Sequence, residues 1–146
     1  MKKIIFQTNS GYALLPVRLL LSIVLFPHGA QKLLGWFNGY GFDGTMSFFT
    51  DTVGLPWIIG FLVILIEFFG PISLFVGFAT RLWSIAILIV MTGIIFTSFP
   101  DHFFMNWYGT QDTEGFEFFL LAIGMSLSLI IYGAGRLSVD AKIANS

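Results

Sequence analysis

Cysteine is absent from the 146 residues, charged residues make up only 10% of them, and there are just two histidines, His28 and His102. The missing thiols exclude disulfides, thiolate metal sites, iron–sulfur clusters and dithiol redox chemistry. With so few histidines, a metal site would have to lean on a close-spaced cluster of carboxylates, and none is expected. A net charge of −1 leaves no basic footprint for nucleic acid. What is abundant is hydrocarbon: 56% of the residues are hydrophobic, 18 are phenylalanine, and the mean hydropathy is +0.87. That exceeds what a soluble domain of this length needs to fill a core. The composition is that of an integral membrane protein with one domain and about four spans.

The spans are expected at about 13–34, 56–79, 82–99 and 116–134. The first carries Pro16 and Arg18 near its start and Pro27 just before His28, where a kink or a local helix end is expected. Two lysines, Lys2 and Lys3, precede it, but no small-residue cleavage site follows, so this span is expected to be retained and to serve as the targeting signal. Between the first two spans lies an aromatic, glycine-rich loop in which Asp43 is a candidate N-cap for a short interfacial helix. The second span contains Gly70 and Gly77, two turns apart and able to admit a neighbouring helix closely. The third has no internal charge, and Pro100-Asp101 ends it. A second aromatic loop leads to the fourth, which begins at Glu117.

Lysine and arginine counts set an orientation. One side holds Lys2, Lys3, Arg18, Arg81, Arg136 and Lys142, the other only Lys32, so both termini are expected in the cytoplasm and both long loops outside. The expected architecture is an all-α, membrane-spanning four-helix bundle.

Within that frame one carboxylate stands out. Glu67 lies about 15 Å from either edge of a hydrocarbon core roughly 30 Å thick. Insertion of a central acid costs roughly 2.5–3.5 kcal/mol, so Glu67 should face the protein interior with a partner, Arg18 or His28. His28 and Glu117 fall in the outer third, with Lys32 and Glu114 just above, and the group is expected to line one outward-opening pocket with Glu67 as its floor. Carboxylates and an imidazole at stepped depths suit proton uptake and release. Glu67, His28 and Glu117 are therefore the candidate catalytic residues, and Arg18 and Lys32 the candidate substrate-binding ones. Each has a plainer explanation. Arg18 and Lys32 can snorkel to an interface, His28 can make a structural hydrogen bond beside Pro27, and Glu117 can complement a helix dipole.

Three stretches carry a wider likeness: RLLLSIVLFPHGAQKLLGWFNGYG from Arg18 to Gly41, the run from Glu67 to Arg81 ending in GFATR, and EGFEFFLLAIGMSLSLIIYGAGRLSVD from Glu114 to Asp140. In order and spacing they resemble the DoxX/DoxD-like family of small four-span bacterial membrane proteins. The resemblance implies a four-helix bundle with both termini inside. It also implies importance for Arg18, His28, Gly29, Lys32, Glu67, Arg81, Glu117, Gly133, Gly135, Ser138 and Asp140. Some members of that family are associated with membrane redox systems, among them a subunit of a thiosulfate:quinone oxidoreductase; more distant ones are chaperones for membrane proteins.

Three functions compete. A subunit or accessory of a quinone-linked redox system would use the polar groups as donor and proton relay and the aromatics as a ring slot. It would take its electrons from other redox subunits or a diffusible donor, since no flavin, haem or metal motif is present. A scaffold or assembly partner would use the same groups for helix packing. A small proton-coupled transporter would use Glu67 as its protonatable site and act as a homo-oligomer.

Overall fold

A computed structural model describes residues 6–8, 11–98, 102–112 and 114–145. Lys2, Lys3, Pro100 and Asp101 lie outside these. The chain runs through α1 (Leu14–Leu34), α2 (Gly41–Ser47), a π-helical turn (Phe48–Thr52), α3 (Trp57–Val76), α4 (Thr80–Ser98), α5 (Glu117–Tyr132) and α6 (Val139–Ala144). All regular structure among the described residues is helical. Helix α1 packs on α3, α3 on α4, α4 on α5 and α5 back on α1, so the four long helices close a bundle. Short links join α3 to α4 and α5 to α6 at one end, called here the terminal end. Both long loops and α2 cover the other, the loop end.

Three of the helices are long and apolar enough to cross a membrane. Helix α5 has 16 residues, about 24 Å at 1.5 Å per residue, which is short for a hydrocarbon core of about 30 Å. The chain on either side of it packs tightly on other non-helical segments: Gly115 abuts the backbone of Phe103 and Phe104, and the Gly135 N–H donates to Thr8 Oγ1 at 2.6 Å. Leu21, Leu25, Leu74, Ile87, Val90, Met91, Ala122 and Leu129 form the dry core.

Helix ends follow the glycines. Gly35 (φ 71°) and Gly77 (φ 70°) adopt the left-handed conformation that closes α1 and α3. Of the two glycines expected to admit a neighbour, Gly70 does so, against Trp83 and Ile87 of α4, whereas Gly77 terminates its helix. Pro27 does not end α1, which continues to Leu34. Asp43 is not an N-cap either: α2 starts earlier, at Gly41, and places Asp43 in its first turn, where the carboxylate complements the helix dipole.

Candidate functional site

The central acid lies inside the bundle, as an acid in hydrocarbon must. Glu67 is 3% exposed, on the face of α3 that also buries Ile64, Gly70, Pro71 and Leu74. Its partner is Lys32 of α1, whose Nζ lies 2.5 Å from Glu67 Oε2. Oε2 has no hydrogen-bond partner, so the short approach of Lys32 Nζ is its one polar contact among the described residues. The direct contact is thus Lys32; Arg18, the other expected neighbour, binds elsewhere, while His28 stands within electrostatic reach of the carboxylate.

Two sequence features make the pairing possible. Pro71 has no N–H to give the carbonyl four residues back, so α3 leaves the carbonyl of Glu67 without its helical donor. Gly29 of α1 lies directly against that carbonyl, and a β-carbon there would collide with the Glu67 and Phe68 backbone. The helices thus touch backbone to backbone at the level of Glu67. Lys32, three residues farther along α1, starts only about 4.5 Å above that level. Its stem reaches back down rather than up to the interface.

Lys32 is also where the pair meets open space. Its side chain is 27% exposed, and it lines a cavity of about 440 Å³ at the loop end with Gln31, Asn38, Tyr40, Thr45, Phe48 and Phe49. Two unusual backbone features border this cavity. Phe37 and Asn38 both adopt positive φ (53° and 61°), a costly conformation for non-glycine residues, and the π-helical turn presents Phe48 and Phe49. Such departures cluster at binding sites. Gln31 Nε2 holds the strained segment by donating to the Phe37 carbonyl at 3.2 Å, and Gly39 packs on the Gln31 backbone.

His28, one turn before Lys32, has its ring 5.9 Å from that of Phe118 on α5 and lies within electrostatic reach of Lys32 and Glu67. Glu117 is held elsewhere. Its Oε1 accepts from the Met105 N–H at 3.0 Å and from Trp107 Nε1 at 2.8 Å, while Glu114 Oε2 accepts from the Asn106 N–H at 2.9 Å. Both glutamates fasten the second aromatic loop over the start of α5. Neither His28 nor Glu117 lines the Lys32 cavity.

Arg18 is at the terminal end and 1% exposed. Its Nη1 donates to the Ala134 carbonyl at 3.0 Å and its Nη2 to that of Leu137 at 2.9 Å. The same segment is pinned by Asp140, whose carboxylate accepts from the Ala79 and Thr80 N–H groups at 2.7 and 2.9 Å while its own N–H donates to the Gly77 carbonyl. Gly77 must be glycine, because a β-carbon would meet Arg18 Nη1 and Ser138. Ser138 caps α6 by accepting from the Ala141 N–H. Arg18 therefore clamps the chain after α5 across the ends of α3 and α4, a role that composition and depth did not reveal. Among the described residues no group of three or more His, Asp or Glu side chains is placed to hold a metal ion.

Fold and site together define a small all-helical membrane protein with a buried charge pair opening to a polar and aromatic cavity. The chain belongs to the DoxX family, whose profile matches residues 13–100. It is also similar to a Bacillus subtilis (strain 168) protein named "Putative oxidoreductase CatD", with 29% identity over 124 residues, covering 85% of this chain and 81% of that one. No solved structure matches the chain.

Proposed function

We propose that this protein is a subunit or accessory of a quinone-linked redox system in the bacterial plasma membrane, with its termini in the cytoplasm and the loop end outside. The observation that carries the reading is the Lys32–Glu67 pair, buried on one side and open to the cavity on the other. Reducing a quinone carbonyl requires a hydrogen-bond donor at the oxygen and a proton source behind it. Lys32 donates into the cavity, and Glu67 holds the ammonium from beneath and exchanges its proton. Tyr40, Phe48 and Phe49 provide ring surfaces for a planar headgroup. His28 acts from the next turn as an electrostatic neighbour of the pair. Electrons come from another subunit or a diffusible donor. The relative named as an oxidoreductase supports the same direction.

The test is native mass spectrometry of the protein gently extracted from its own membranes, together with quinone reduction by those membranes. A bound quinone that disappears in Glu67→Gln, with assembly intact, sustains the reading. Stoichiometric partner protein without a small molecule replaces it with an assembly role. A proton-coupled flux in proteoliposomes, abolished by the same substitution, replaces it with transport.

A further inference from the structure

Two sets of hydroxyls can be distinguished on the long helices. Ser22, Thr97 and Ser128 turn back and donate to the carbonyl four residues earlier, at 2.7, 2.9 and 3.0 Å, the usual way a helix in hydrocarbon satisfies such a group. Thr80, Ser84 and Ser126 do not. All three are 0% exposed, and their hydroxyls have no partner. Arg18 Nε is in the same condition, although both terminal nitrogens of that guanidinium are engaged.

All four atoms lie toward the terminal end of the bundle. Arg18 and Thr80 both adjoin the Gly77–Asp140 contact, since Arg18 Nη1 lies against Gly77 and Asp140 accepts from the Thr80 N–H. Ser84 is one turn above Thr80 on the same face of α4. Ser126 is on the buried face of α5, which packs on α4, about 9 Å in from the end of its helix, against about 6 Å for Ser84. A buried polar atom left unpaired costs about 1–3 kcal/mol, and four in one region point to an occupant. Hydroxyls both donate and accept, and Asp140 already stands by the Arg18 charge, so the fitting occupant is neutral and bifunctional.

We infer that the terminal end of the bundle core is hydrated, with internal water bridging Arg18 Nε and the hydroxyls of Thr80, Ser84 and Ser126. The water is sealed off from the Lys32–Glu67 pair by the dry layer of Leu21, Leu25, Leu74, Ile87 and Met91. It is a separate internal site and does not form a path through the bundle.

Water-edited solid-state NMR on the full chain in proteoliposomes tests this. Signals of Thr80, Ser84 and Ser126 should receive magnetisation from water at least about threefold faster than those of Leu25 and Ile87, because each bridging water makes several hydrogen bonds to its site. Thr80→Val and Ser84→Ala, small enough to leave packing intact, should each slow that transfer at the remaining hydroxyls. Transfer as slow as in the dry layer overturns the inference. So does a dependence of these signals on exchanging chloride for bromide, which would make the occupant an anion.

Discussion

The two ends of the bundle both bury charge, and they do it by opposite means. At the terminal end Arg18 is almost fully enclosed, its terminal nitrogens are taken by two carbonyls of the segment after α5, and Asp140 is taken by backbone N–H groups of the α3–α4 link. At the loop end Lys32 and Glu67 have each other, and Lys32 keeps one flank in a cavity. Depth of burial alone would rank Arg18 as the more notable charge. Yet a guanidinium whose two terminal nitrogens are both held by backbone carbonyls is arranged to hold chain in place, while a salt bridge with an open side can change partners and protons. The contrast teaches that access, as well as burial, separates a clamp from a site.

The contrast breaks most readily at Arg18. Arg18→Leu strands two buried carbonyls and removes the charge beside Asp140, and should lower stability by about 3 kcal/mol or more. Arg18→Lys should recover little, because one ammonium cannot reproduce a guanidinium's fork. Thermal unfolding in detergent checks both; unchanged melts would erase the distinction between the two ends. Gly29→Val comes next. Its branched side chain would drive α1 away from the Glu67 carbonyl at a cost of about 2 kcal/mol, and the separated helices should lose quinone binding as well. A variant as stable and as active as the parent would mean that the backbone contact does not position the pair. The smallest effect is expected at Asn38. Asn38→Gly relieves a positive-φ conformation and should stabilise the fold by about 0.5 kcal/mol, while a looser cavity wall weakens ligand binding. Stronger binding would show that the strained segment is incidental to the site.

Much of this was legible in the sequence, and the failures have physical causes. A carboxylate amid more than one turn of hydrocarbon on either side has few tolerable positions, so the inward-facing Glu67 could be read directly. Its partner could not. Depth counting placed Lys32 at the interface because it treats helices as parallel rods at ordinary spacing, whereas Gly29 and the proline-freed carbonyl bring α1 and α3 into backbone contact. Arg18 misled in the other direction: carbonyls leave no mark in a sequence, so its partners Ala134 and Leu137 were invisible. Glu117 was read as part of a proton pathway, and its actual partners are one backbone N–H and one indole in an aromatic loop. The positive-φ pair Phe37-Asn38 carried one faint signal, since asparagine tolerates the left-handed region better than most residues.

The central claim is that Lys32 and Glu67 act as one open, proton-exchanging unit, and a double-substitution cycle tests it most directly. Quinone reduction and thermal unfolding would be measured for Lys32→Met, Glu67→Gln and the two combined, in membranes of matched protein content. Each single change should lower turnover at least about tenfold, Glu67→Gln with little loss of stability and Lys32→Met with a lower melting temperature because it leaves Glu67 buried without its counter-charge, and the combination should be no worse in turnover than the poorer single variant. Full turnover in either single variant, or losses that multiply in the double, would contradict the account.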